Sequence, residues 1–260
     1  MWPMLVRGRH VVRLAENESD LRRAQALRWH CFIGGSGGGG EGGAEGLHRD
    51  EFDPICRHVL VEDLASGQLA ACYRILPLTG AGISRSYSAR VYGLEALAGF
   101  AGPMLEIGRF CIRPGLRDPN IMRLAWGALA RHVEAERVAL LFGCSSFAGT
   151  DPAPHLDAFA LLRERHLAPA RWRPRVKAPE IFAFADVLRD WVADAARARA
   201  ELPPLLRSYL LMGGWVSDHA VIDRQLNTLH VFTAVEVRGV RPSRRRLLRD
   251  GVRDVLRSGS

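Results

Sequence analysis

Apolar and polar positions alternate along the chain in a way that predicts short strands interleaved with amphipathic helices. Residues 10–14 read as a first strand, and from Ser19, a candidate cap, Leu21, Ala24, Leu27 and Cys31 recur at helical spacing. Residues 58–63 and 69–76 read as adjacent strands joined through Ala65-Ser66-Gly67, a plausible hairpin. The stretch 78–102 has no clean period and reads as loop with a short helix near 93–98. The strongest signal is at 105–112, an apolar strand that contains Glu106 and Arg109 and stops at Pro114-Gly115. Asp118 then caps a helix over 119–136, because Pro119 has no amide hydrogen to leave unsatisfied in the first turn. That helix places Ile121, Leu124, Ala125, Leu129 and Val133 on one side, and a strand at 138–144 follows. Further along, the pattern predicts a helix at 154–165, a strand at 181–185, a charged alanine-rich helix at 186–201, a helix at 202–214 and a last strand at 228–237. Strands and helices interleaved in this way predict an α/β protein.

Composition narrows the picture. A chain of 260 residues with 48% hydrophobic and 25% charged residues is long enough to bury a sizeable core. The amino terminus has no apolar run of signal-peptide type, and no stretch of about eighteen apolar residues occurs, so the protein is expected to be neither secreted nor membrane-spanning. Five cysteines, odd in number and widely spaced, fit reduced thiols in a cytoplasm. No pair has metal-ligand spacing and the nine histidines form no cluster, so no metal site is expected. The net charge of +8, carried almost entirely by arginine, implies an attractive field for acidic partners. Nucleic acid is not expected among them, because no zinc finger, aromatic RNA-binding motif or lysine-rich tail is present and the arginines are spread over the whole length.

Five places carry candidate chemistry. Arg113, Arg117 and Arg123 crowd the strand-to-helix corner before residues 120 and 121, where free amides would favour an anion; capped corners of this kind also occur in many α/β proteins without a ligand. Asp50-Glu51-Phe52-Asp53 is either an acidic receiver for a cationic amine or a capped turn before Pro54. Glu106 lies mid-strand, where partial burial would raise its proton affinity and fit it to relay a proton; the alternative is a structural pair with Arg109 or Arg74. In an ideal strand residues 106 and 109 point to opposite faces, so a bulge is needed for both to meet one substrate. Arg74, inside an apolar strand, needs an acidic partner, with Glu106 or Asp53 as candidates. Cys144-Ser145-Ser146 resembles a nucleophile motif, but without a nearby base Cys144 is read as a structural thiol.

Several segments in order carry a family resemblance: residues 26–32 (Ala-Leu-Arg-Trp-His-Cys-Phe), 50–56, 71–76, 105–113, 142–152 and the Leu202-Pro203-Pro204-Leu205-Leu206 run. The chain resembles the ornithine N-acyltransferase branch of the GNAT-type acyltransferases, an architecture shared with acyl-homoserine lactone synthases, over roughly residues 10–237. The resemblance implies a mixed, splayed central sheet flanked by helices, in which an acyl-phosphopantetheine arm lies between two strands. It implies transfer of a 3-hydroxylated fatty acyl group from acyl carrier protein to the α-amine of L-ornithine, the first step toward ornithine lipid. No cofactor beyond the carrier-borne phosphopantetheine substrate is expected. Glu106 and Arg109 are implied as catalytic; Arg28, Phe32, Arg113, Arg117, Asn120 and Ile121 as donor-binding; and Asp50, Asp53 and Arg74 as binding the amine substrate. An acyl-homoserine lactone synthase relative and a non-catalytic acyl-carrier or membrane-binding module remain the other readings.

The expected organisation is a core over residues 1–200 with a glycine-rich loop at 34–46, a helix and strand at 201–237 completing the same domain, and a basic tail at 238–260. The tail is read as a disordered end or as a contact for anionic lipid at the inner face of a membrane.

Overall fold

The computed structural model describes Trp2, residues 4–34 and residues 46–240. Most of the glycine-rich loop and of the basic tail therefore lies outside the described residues. In chain order the strands are β1 (Leu5–Arg7), β2 (His10–Leu14), β3 (Arg57–Asp63), β4 (Leu69–Leu78), β5 (Tyr92–Gly93), β6 (Met104–Ile112), β7 (Leu140–Ala148), β8 (Arg175–Val176), β9 (Ile181–Phe182), β10 (Trp215–Asp223) and β11 (Thr228–Glu236). The helices are α1 (Glu18–Phe32), α2 (Ser88–Val91), α3 (Pro119–Ala135), α4 (Leu156–Arg165), α5 (Phe184–Val187), α6 (Ala195–Glu201) and α7 (Pro204–Leu211). The architecture is mixed α/β, with sheet flanked by helices.

The chain divides into two compact units. One contains the residues up to Leu76 together with Ile107–Val138, and the other contains Pro77–Glu106 and Ala139–Val240. The boundary falls inside β6, between Glu106 and Ile107.

In the first unit the strands lie in the order β1-β2-β3-β4-β6. The β1–β2, β2–β3 and β3–β4 pairs are antiparallel. The β3–β4 pair is the expected hairpin, with Gly67 at φ +66° in its turn, a conformation that costs glycine little. Helix α1 is capped by Asn17, whose side chain accepts from the Asp20 amide; the cap lies two residues before the expected Ser19. Its buried residues include Asp20, Gln25 and Arg28 beside Ala24 and Leu27, so this helix buries a mixed face. Two networks depend on that face. Arg13 chelates Asp20 and reaches Glu62 at 2.7 Å, while Gln25 and Arg28 turn toward Asp53. Helix α3 begins as expected, with Asp118 accepting from the Asn120 amide and Pro119 in the first turn.

In the second unit β7-β11-β10-β9 form an antiparallel run. Strand β7 begins two residues later than expected and continues to Ala148, because Ser145 and Phe147 are buried and β11 pairs along its whole length. β10 was not foreseen from the pattern. It is buried almost continuously, and its register shifts between Val216 and Ala220, where the polar Ser217 and His219 are buried, so no two-residue alternation marks it. The expected helix at 186–201 is two short helices, α5 and α6. Asp194 caps α6 by accepting from the Ala196 and Arg197 amides, and a buried Asp157 holds the Trp191 indole and the Asp194 amide between them. Only Ile181–Phe182 of the expected strand at 181–185 is extended, because Phe184 turns into a core of Phe147, Phe159, Leu206 and Val231. The aperiodic stretch folds into two 3-10 turns, Gly80–Arg85 and Glu95–Gly99, with α2 between them.

Those two turns meet at Gly80. A β-carbon there would sit 2.4 Å from the Ala98 carbonyl oxygen and 3.0 Å from that of Leu97, both backbone atoms that cannot rotate away. Gly80→Ala is therefore expected to lower stability by about 1–3 kcal/mol. A urea midpoint unchanged from the parent would refute this close approach.

Candidate active site

The Asp50-to-Asp53 segment folds as a tight turn and is the centre of a charge cluster. Asp50 accepts from the Phe52 amide at 3.0 Å, which closes the turn. Its carboxylate also takes Arg74 in a two-point contact and Arg109 Nη2 at 3.2 Å. Asp53 is buried and is held by Arg28 through both terminal nitrogens (2.8 and 2.6 Å), by Gln25 at 3.0 Å and by Arg74 at 3.0 Å. Arg28 is only 1% exposed and also donates to the His48 carbonyl, so it fixes Asp53 and the 48–53 backbone together. The Arg74 guanidinium stacks over the Phe52 ring at 5.5 Å. Asp53, one of its two expected partners, accepts from it at 3.0 Å. The guanidinium groups of Arg28, Arg74 and Arg109 thus meet the carboxylates of Asp50 and Asp53.

The electrostatics follow from that geometry. Burial alone would raise the Asp50 pKa, but hydrogen bonding to Arg74 and the charges of Arg74, Arg109 and Arg28 hold it at about 2. Asp53 is shifted down for the same reasons, with burial opposed chiefly by Arg28. Burial, reinforced by the positive charges of Arg109 and Arg28, drives His48 to about 4. His48 was not singled out in the sequence, and it stands edge-on to Phe32 at 5.9 Å. Gln25 and His58, which lies 3.0 Å from the Asp53 carbonyl oxygen, were also missed, since neither has a spacing that marks it.

Arg109 adopts φ +53° in the middle of β6. A non-glycine residue with a left-handed backbone inside a strand is strained, and the buried-exposed alternation of β6 is lost around it. The strand is therefore irregular at Arg109, and β6 from Ile107 onward lies with Arg109 in the first unit.

Glu106 belongs to the second unit. It is 5% exposed, and its carboxylate accepts from the Tyr87 amide (2.9 Å), the Ser88 amide (2.8 Å) and the Ser88 hydroxyl (2.7 Å). An ionised carboxylate is acceptor-only, and three donors converge on this one. The Ser88 oxygen also lies 3.6 Å from the Cys144 sulfur, so Cys144 is part of the surroundings of Glu106. Tyr209 is buried near both groups, and its pKa is raised by burial first and then by their negative charge. Ser88 lies in the stretch without period, and Tyr209, although inside the expected helix at 202–214, has no spacing that marks it, so the sequence did not reveal them.

At the start of α3 the Asn120 amide goes to the Asp118 carboxylate and the Ile121 amide to the Asp118 carbonyl at 3.2 Å. The Ile121 side chain is fully buried, and Asn120 Oδ1 accepts from Arg7 at 2.9 Å. Arg117 is exposed. Arg113 donates to the Leu69 carbonyl at 2.8 Å and lines, with Arg23, Leu27, His30 and Leu69, a cleft of about 310 Å³. Among the described residues no group of three or more His, Cys, Asp or Glu side chains is placed to hold a metal ion, and no helix is long and apolar enough to cross a membrane.

Residues 27–127 match the acetyltransferase (GNAT) domain family. The chain is 33% identical over 237 residues to the L-ornithine N(alpha)-acyltransferase of Rhodobacter capsulatus, covering 88% of this chain and 90% of that one. It is 30% identical to the protein of the same name from Brucella abortus, over 87% of this chain and 84% of the relative. Among solved structures it is similar to the acyl-homoserine lactone synthase LasI, at a TM-score of 0.43 and 14% identity, over 86% of this chain and 89% of that one.

His48 gives a signed pH dependence. Folding holds it neutral down to about pH 4, whereas the unfolded chain protonates it near its ordinary value of 6.5, so the unfolded state binds the extra proton as pH falls. Its contribution is fully present above pH 6.5 and is lost on descent to about 4. The thermal midpoint is therefore expected to fall across that window, and less steeply in His48→Gln; equal slopes would refute the assignment. His58, shifted in the same direction, keeps some slope in the variant.

Proposed function

Since the chain belongs to the L-ornithine N(alpha)-acyltransferase family, we propose that it acylates the α-amine of L-ornithine, taking a 3-hydroxylated fatty acyl group from acyl carrier protein. The observation that carries this reading is the near full-length match to a relative of that name. Amide formation from a thioester needs a neutral amine, a carbonyl held beside it and stabilisation of the developing oxyanion. The amine nitrogen attacks the thioester carbon, a C–N bond forms, the C–S bond breaks and the carrier thiol leaves. No electron is transferred, so the reaction as proposed needs no redox cofactor or metal.

The roles follow the chemistry of each cluster. The guanidinium groups of Arg74 and Arg109 suit the carboxylate of an α-amino acid, and the acidic pair Asp50 and Asp53, of which Asp50 is half-buried, suits its cationic end. Arg28 is assigned a positioning role through Asp53, because its own guanidinium is sealed from solvent. Phe32, packed on His48, is assigned to the donor side. Glu106, held by Ser88 and Tyr87, is the proposed acceptor of the ammonium proton. Arg113 and Arg117 supply positive charge for the phosphate of the prosthetic arm, with Asn120 and Ile121 forming the helix start beside them. The basic chain steers an acidic carrier toward the protein. Contact of the product with an anionic membrane surface is assigned to the arginines of the tail, which lies outside the described residues.

Purified protein incubated with 3-hydroxyacyl carrier protein and ornithine is expected to yield N-acylornithine by mass spectrometry. No product from any acyl chain length, with the carrier intact, would overturn the reading. Glu106→Gln is expected to lower kcat by roughly a hundred- to ten-thousand-fold while leaving carrier affinity unchanged. Full activity in that variant would remove Glu106 from the chemistry.

A further inference from the structure

Three of the five cysteines come together in the first unit, although 41 residues separate the first from the second and 39 the second from the third in sequence. Cys111 of β6 lies 3.5 Å, sulfur to sulfur, from Cys72 of β4. Cys31, in the last turn of α1, packs against the same cluster. Cys72 and Cys111 are buried, and the Cys31 thiol, half-buried, sits 3.5 Å from the Ile112 carbonyl. The surrounding residues are apolar: Ala24, Leu27, Leu60 and Leu69, with Phe32 at the edge. The acyltransferase reaction proposed above uses none of these thiols, and the inference does not depend on it.

We propose that the Cys31–Cys111 pair is a peroxide-sensitive modification site that closes to a disulfide joining α1 to β6. Three observations support it. Cys31 is the member of the cluster open to solvent, so a small oxidant reaches it first. Its thiol is shifted toward the thiolate, chiefly by the hydrogen bond to Cys111 and also by the Arg113 charge, against the effect of burial. Cys111 belongs to the apolar cluster that Cys31 packs against, and the carbonyl of Ile112, next to it in the chain, lies 3.5 Å from the Cys31 sulfur. The oxidant is hydrogen peroxide. The Cys31 thiolate attacks one peroxide oxygen, forming S–O as O–O breaks; hydroxide leaves and becomes water, and sulfur loses two electrons to give a sulfenic acid. The Cys111 sulfur then attacks the sulfenic sulfur, S–S forms, S–O breaks, and the departing hydroxide takes the Cys111 proton as a second water. Two thiols and one peroxide thus give one disulfide and two waters.

Closing a disulfide bond of about 2.05 Å between Cys31 and Cys111 calls for a side-chain rotation and a small shift of the α1 end. The product would pin the end of α1, three residues beyond Arg28, to the strand that carries Arg109.

The test uses the full chain. Purified protein is treated with graded hydrogen peroxide, remaining thiols are alkylated, and tryptic peptides are analysed by mass spectrometry without reduction. Cys31, Cys56, Cys72 and Cys111 fall on separate peptides, because Arg49, Arg57, Arg74 and Arg109 intervene, so the partner is identified directly. The expected result is a Cys31–Cys111 linked peptide, lighter by two hydrogens than the free pair, that dithiothreitol removes. Cys111→Ser is expected to replace it with a sulfenic acid on Cys31, trapped by dimedone. Cys72→Ser is expected to retain the link. A Cys72–Cys111 link without Cys31, or oxidation of the half-buried Cys56 and Cys144 before Cys31, would overturn the proposal.

Discussion

Two carboxylates taken out of water, Asp50 and Asp53, set the organisation of the first unit. Each would be unfavourable alone, and each is held by arginines from two separate elements: Asp53 by Arg28 of α1 and Arg74 of β4, Asp50 by Arg74 and by Arg109 of β6. The dependence is mutual. The 46–56 segment is built of short turns, with the amides of Asp53, Ile55 and Cys56 bonded to the carbonyls of Asp50 and Phe52, and these ion pairs and the Arg28 bond to the His48 carbonyl tie those turns to the rest of the unit. Removing one member would leave a buried charge without a counterpart, a loss of about 3–5 kcal/mol in comparable pairs.

The same constraint explains the mixed face of α1. A helix that only had to pack would bury an apolar stripe; this one buries Asp20, Gln25 and Arg28 because each meets an opposite charge or a carboxylate across the interface. It also accounts for the strained backbone at Arg109. The left-handed conformation is unfavourable there, and contact with Asp50 is one interaction that offsets it. Glu106, three residues earlier on the same strand, accepts from two amides and a hydroxyl of Tyr87 and Ser88 within the second unit.

The thiol cluster involves the same helix, since Cys31 lies in the last turn of α1, three residues beyond Arg28. Burial of Cys72 and Cys111 among leucines is ordinary core packing. What distinguishes the group is that Cys31 leaves one edge of it open.

The chain's own pattern determined the elements whose signal is local: the β3–β4 hairpin, the Asp118-Pro119 start of α3, the central strand with its two charged residues, and the requirement for a break between 106 and 109. These follow from periodicity, capping and proline stereochemistry, which act over a few residues. Which groups meet was decided only by the tertiary structure. Asp53 and Arg28 are 25 residues apart, Arg109 and Asp50 are 59 apart, and no short-range rule links them. Strand β10 was hidden because burial on both faces and a register shift erase alternation, and Ser88 was hidden because its role depends on a carboxylate 18 residues away. Local propensity is written in neighbouring residues, whereas pairing of buried charges depends on which distant segments the folded chain brings within about 3 Å.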